Sequence, residues 1–142
     1  MKKMLFSAVA MMAVAAPLQA ADPGPVVGGQ LDHVRSQMRD SGYRETHEQK
    51  IGSLRSGDNA RFEVRLREGT SYRIVAVCDE DCDDLDMILY DENGNEIDSD
   101  RADDSIPIVE VSPRWDGKFE VRVNMASCNI APCQYGVMVM GR

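Results

Sequence analysis

From Ala60 to Gly69 the chain reads ARFEVRLREG, in which Phe62, Val64 and Leu66 alternate with Arg61, Glu63, Arg65 and Arg67. Successive side chains of a strand point to opposite faces, so a period of two calls for an extended segment with one face in a core and a charged face in water. A helix would scatter the same residues around its axis. The pattern recurs downstream. TSYRIVAVC places Tyr72, Ile74, Ala76 and Cys78 on one side, and DLDMILYD sets Leu85, Met87 and Leu89 against Asp86, Ile88 and Tyr90. Glu68 and Gly69 turn the chain between the first two segments, and Asn93 and Gly94, which tolerate positive φ, mark a hairpin after the third. Further strands are expected at Ile106 to Val111, at Phe119, Val121, Val123 and Met125, and at Tyr135 to Met140, separated by Ser112, Pro113 and the turn from Trp115 to Gly117. With no helices between them, these segments predict an all-β chain, a β-sandwich or jelly roll of about seven to eight antiparallel strands. One helix is expected ahead of the sheets: in QLDHVRSQMRDSGYRE, Leu31, Val34 and Met38 recur at helical spacing up to Gly42, after the Pro and Gly-rich lead ADPGPVVGG.

The first residues, MKKMLFSAVAMMAVAAPLQA, combine two lysines, an apolar run from Met4 to Ala16 broken only by Ser7, and a small residue at Ala20. This is the layout of a secretory signal peptide over residues 1–20. The apolar run is shorter than the roughly 20 residues that cross a bilayer core, so no membrane span is expected. No cysteine stands beside Ala20 and Ala21, which argues against a lipid anchor there. The expected organisation is then 1–20 signal, 21–49 lead and helix, and 50–142 one β-sandwich domain, located in the periplasm or secreted. Residues 1–20 carry two of the 16 basic residues and none of the 24 acidic ones, so their removal takes the formal charge from −8 to −10. Phosphate recognition requires a clustered basic face, and this balance argues against nucleic acid or anionic lipid as partner. The imbalance is local: residues 79–104 hold 13 acidic groups and a single base, Arg101.

The succession LREGTSYRIVAVC, DLDMILYDENGNEI, WDGKFEVRV and CQYGVMVMG resembles the bacterial pre-peptidase C-terminal domain family over roughly Ile51 to Gly141. The most specific part is Asp84, Leu85 and Asp86, then Leu89, Tyr90, Asp91 and Gly94, in register with Gly117 and Phe119. The resemblance implies a small jelly-roll-like sandwich of the kind appended to secreted proteases and other exported enzymes. The four cysteines and the N-terminal helix lie outside the general family pattern, so a stand-alone, disulfide-bearing member is expected.

Cys78, Cys82, Cys128 and Cys133 allow three pairings. Proximity in the chain favours Cys78 with Cys82 and Cys128 with Cys133, bracketing CDEDC and CNIAPC; loop-closure entropy, about 2 kcal/mol for so short a loop against about 4 for a cross pairing, favours the long-range alternative. The rival is a four-cysteine zinc site, whose ligand spacing these gaps fit loosely, but an exported chain favours disulfides.

Carboxylates held about 6 Å apart repel by roughly 1 to 3 kcal/mol per pair near a protein surface. A loop that gathers several of them calls for a cation. Asp79, Asp81, Asp83, Asp84 and Asp86, with Glu80 beside them, offer hard oxygen ligands suited to Ca²⁺, and Asp98 and Asp100, with Asp103 and Asp104, are expected to add to them from a later loop. The stretch is not an EF-hand, because counting from Asp91 the sixth position is Glu96 where glycine is required. The opposing reading is a solvated anionic surface.

Catalysis finds little support. The chain has no GxSxG, HExxH or glycine-rich phosphate loop, and His33 and His47 are expected to be structural. Trp115, Tyr90 and Tyr135 are the candidates for a sugar-binding platform, against the commoner use of aromatics as core filling. The expected role is a non-catalytic binding or accessory module of the cell envelope, contacting protein or polysaccharide and stiffened by calcium. The alternatives are a structural envelope protein without a specific ligand and, more distantly, a small hydrolase using paired carboxylates.

Overall fold

The computed structural model describes residues 21–142; the expected signal segment lies outside the described residues. The chain forms α1 (Pro25–Asp40) followed by β1 (Arg44–Glu45), β2 (Lys50–Leu54), β3 (Asn59–Leu66), β4 (Tyr72–Cys78), β5 (Cys82–Tyr90), β6 (Glu96–Asp100), β7 (Ile108–Val111), β8 (Gly117–Cys128) and β9 (Cys133–Gly141). These nine strands make two antiparallel sheets. Sheet A runs β1-β9-β4-β7, with β2 also on β9, and sheet B runs β3-β8-β5-β6. The β-sandwich read from the alternation is the fold the chain adopts, with β1, β2 and β6 in addition to the strands named from the sequence.

The core lies where the inner faces of the two sheets meet. Val64 and Leu66 of β3, Leu85, Met87 and Leu89 of β5 and Phe119, Val121, Val123 and Met125 of β8 face Ile74, Ala76, Val137 and Val139 of sheet A, all buried. Each such large apolar side chain contributes on the order of 1.5–3 kcal/mol relative to exposure. In β3 the odd-numbered residues stay exposed while Val64 and Leu66 are buried, as the charge alternation requires.

Strand β4 departs from that half-buried rule, because six of its seven residues are buried. Its outer face is covered by α1, whose Val27, Leu31 and Val34 pack on Val75, Val77, Met138 and Met140. Gly136 makes this close approach feasible: a Cβ there would stand 2.9 Å from Leu31 Cδ1 and 3.0 Å from Val27 Cγ1. The helix also begins earlier than the expected Gln30. Pro25 occupies its first turn, where its missing N–H costs nothing, and Gly28 N–H donates to Gly24 O at 2.8 Å. Gly28 and Gly29 disfavour helix by about 1 kcal/mol each, and burial of Val27 on sheet A offsets that cost. The helix ends at Asp40 with Ser41 as its C-cap, and Gly42 turns the chain away in the left-handed region with φ +84°.

Candidate functional site

The acidic stretch divides into three sets with different fates. The first lies at one end of the sandwich. Cys78 of β4 is joined to Cys82 of β5 (S–S 2.12 Å) and Cys128 of β8 to Cys133 of β9 (S–S 2.10 Å), and no cysteine of the described residues is free. Each bond is short in sequence but crosses from one sheet to the other, and Cys82 stands opposite Cys128 in the β5–β8 register. The loops between them are tied by carboxylates. Asp79 accepts from Gln134 N at 2.7 Å and from Asp81 N at 3.2 Å, while Asp83 accepts from Asn129 Nδ2 at 2.6 Å. The helix joins the same end, since Gln30 Nε2 donates to Cys78 O and Gly24 N to Gln134 Oε1. Asp79 and Asp83 are thus engaged as loop fasteners.

The second set lies on β6, a strand where the sequence reading expected a loop. EIDSD has one apolar residue, so alternation could not reveal it. Pairing with β5 places Asp98 opposite Leu89 and Asp100 opposite Met87, and their carboxylates reach across to the neighbouring edge of sheet A. Asp98 Oδ2 accepts from Glu110 N at 2.8 Å and Asp100 Oδ2 from Ile108 N at 3.0 Å. Their other oxygens accept from Ser99 N and Ala102 N. Two carboxylates therefore close one side of the sandwich by satisfying the backbone donors of edge strand β7.

The third set is Asp84 and Asp86, on the outer face of β5. One oxygen of each, Oδ1, is buried and without a hydrogen-bond partner. Burial pushes the Asp84 carboxyl above the ordinary carboxylate value of 3.8, and the charges of Asp103 and Asp104 push in the same direction. The Asp86 carboxyl is also raised, first by burial and then by Asp84, with Asp100 and Asp104 adding and Arg101 opposing. Arg101 forms its own ion pair with Glu96 at 2.5 Å. As the side chains stand, no three histidine, cysteine or carboxylate groups among the described residues converge to cage an ion. The expected ligand set Asp79, Asp81, Asp83, Asp84, Asp86, Asp98 and Asp100 is therefore not gathered at one point; Asp84 and Asp86, beside Asp103 and Asp104, are its under-coordinated part.

Asp91 does different work from these. Its buried carboxylate accepts from Asn93 N and Asn95 N at 2.9 Å each and from Asn95 Nδ2 at 3.1 Å, which holds it below the ordinary range. Gly94 at φ +80° completes the β5–β6 turn; Asn93 stays at negative φ, so this is a wider turn than a two-residue hairpin.

The aromatic residues do not form one platform. Tyr135 is in the core beneath Gly52, where a Cβ would stand 2.6 Å from its hydroxyl, and Trp115 stacks on Phe119 with ring centroids 5.8 Å apart. Tyr90 lines a separate groove of about 350 Å³ with Arg61, Asp91, Glu92 and Glu120. His33 is exposed. His47 has a role that sequence reasoning did not find: its Nε2 donates to Arg65 O of β3 at 2.8 Å, and its Nδ1 lies 2.8 Å from Thr46 Oγ1. It fastens the chain before β2 to the edge of sheet B. No helix among the described residues is long and apolar enough to cross a membrane.

No family model matches the chain, and no curated protein matches it. Among solved structures it is similar to the pre-peptidase C-terminal domain of collagenase from Bacillus anthracis, at 17% identity and a TM-score of 0.51, over 65% of this chain and 87% of that domain. The likeness is one of fold: the chain is a β-sandwich similar in fold to that domain.

Proposed function

We propose that this protein is an exported, non-catalytic accessory module that contacts a protein or polysaccharide of the cell envelope, with calcium stiffening its acidic β5 rim. The sandwich likeness to a domain of a collagenase supports the accessory role, as does a surface of open grooves lined by mixed charges. Two disulfides support export, since such bonds persist in oxidising compartments.

The observation that carries the ion is the pair of buried, unpartnered oxygens on Asp84 and Asp86. A carboxylate so placed is either protonated or matched by a cation, and at neutral pH a hard divalent cation is the better match. Asp103 and Asp104 are exposed in the adjoining loop, Asp104 with one oxygen on Ile106 N at 3.0 Å, and their charges act on the Asp84 carboxyl. Affinity in the range of extracellular modules, about 10⁻⁴ to 10⁻³ M, is expected.

The test is a thermal melt. Millimolar calcium should raise Tm, chelator should reverse the rise, and co-sedimentation with an envelope fraction should follow the same dependence. No shift at millimolar calcium removes the ion; co-sedimentation that ignores chelator removes its link to the partner. The variant carrying Asp84→Asn and Asp86→Asn should lose the calcium response. Without calcium it should melt higher than the parent at neutral pH. A carboxyl raised above its unfolded value stabilises the fold when protonated, so that contribution is present below about pH 3.8 and is lost as pH rises through the folded value. The gap between variant and parent should therefore close on acidification.

A further inference from the structure

Strand β3 is the edge of sheet B, and at eight residues it is the longest of the edge strands among the described residues. Asp58 O accepts from Met125 N of β8, whereas Arg65 O points the other way and accepts from His47. Backbone groups of a strand alternate in direction, so Arg61, Glu63 and Arg65 direct their N–H and C=O away from β8, toward the outside. Beside this edge runs a groove of about 370 Å³ whose lining includes Phe62, Val64, Val137 and Val139. Phe62 is only partly buried in it. The outward face carries Arg61, Glu63 and Arg65 in alternation, with Glu120 and Lys118 of β8 as lateral partners of the first two at 3.6 and 3.9 Å.

We infer that the β3 edge is a self-association surface on which a second copy of this chain pairs antiparallel about a two-fold axis at Phe62. An isologous contact sets residue i against j and j against i. With Phe62 on the axis, Arg61 of one copy meets Glu63 of the other twice over, both as backbone pairs exchanging their N–H···O bonds and as opposite charges on the outer face. Phe62 then meets its own equivalent at a narrow, non-hydrogen-bonded position, with both rings turned toward the grooves. The two neighbouring registers fare worse. An axis at Glu63 sets Glu63 against itself and Arg61 against Arg65, which is repulsive. An axis at Val64 pairs Glu63 with Arg65 but makes its central bonds on the Arg65 carbonyl, which His47 occupies, whereas an axis at Phe62 calls on that carbonyl only at the outer Asn59–Arg65 pair. Among these three registers, the charge alternation and the histidine favour the axis at Phe62.

The test is sedimentation velocity of the purified protein in chelator, over a concentration series reaching millimolar. Chelator keeps this result separate from the calcium reading above. The parent should move from one to two copies. Arg61→Glu and Glu63→Arg, each placing like charges in opposition twice, should weaken association by at least about tenfold. The double variant Arg61→Glu with Glu63→Arg should restore it, and so should mixing the two single variants, which pair as a heterodimer. Circular dichroism melts verify that the variants are folded. A parent that stays monomeric throughout, single variants that associate as the parent does, or a double variant that fails to recover overturns the inference.

Discussion

The two open sides of this sandwich are treated differently. On the β6–β7 side, Asp98 and Asp100 satisfy the amides of Glu110 and Ile108, so the gap between the sheets is laced by charge-assisted hydrogen bonds. On the β3 side a single imidazole, His47, reaches one carbonyl, and the remaining outward backbone groups face a groove. A sheet edge is a template for another strand unless something blunts it. One edge has been spent on the monomer's own stability, and the other is left available. The difference teaches where acidic residues are structural and where alternating charges specify a neighbour.

The comparison can be broken at three levels. Phe119→Ala removes a buried ring near the start of β8, the strand between β3 and β5, and should cost about 3–5 kcal/mol in urea unfolding, with both edges lost in one transition. A probe at β6 that melts apart from one at β3 would show that the sides are not coupled through the core. Next, Asp98→Ala with Asp100→Ala should cost about 2 kcal/mol, because the two β7 amides lose their acceptors while part of their solvation is recovered at the surface. This variant should also aggregate more readily, having gained a second free edge; unchanged stability would mean that the carboxylates lie near the amides without holding them. The smallest effect belongs to Arg61→Glu, which should leave the unfolding free energy of the monomer within about 0.5 kcal/mol of the parent, since Arg61 is exposed and its ion pair with Glu120 is long. A larger loss would make the β3 charges structural as well.

Much of the fold could be read from residue order. The alternation of β3 and β8 and the paired faces of β5 required strands in the places where they occur, because burying one face of a pleated segment leaves little choice of period. The hidden parts were those where a tertiary neighbour decides. The helix start at Pro25 depends on Val27 meeting sheet A through the space left by Gly136, and Gly28 and Gly29 concealed it. Strand β6 had no apolar rhythm to show, since Asp98 and Asp100 do the work that hydrophobic residues do elsewhere. The candidate site was legible as a region and not as a constellation. Thirteen acidic groups between residues 79 and 104 announce an anionic rim, but only coordinates separate those that fasten loops, those that cap an edge and the two left with unpartnered oxygens. The cysteine loops, likewise, give no sign in one dimension that each five- or six-residue span crosses from sheet to sheet.

Strand β9 sits between β4 on one side and β1 and β2 on the other, and its Met138 and Met140 lie under the helix. Apart from the β4–β7 pair, every strand pairing of sheet A passes through residues 133–141. During synthesis, a nascent chain that has emerged only as far as Cys128 can pair β3 with β8, β8 with β5 and β4 with β7, yet β1 and β2 have no strand partner and β4 and α1 lack one of their two neighbours. Sheet A thus stays incomplete until β9 arrives, and the joining of β1 and β2 to β4 is a late event rather than a progressive one.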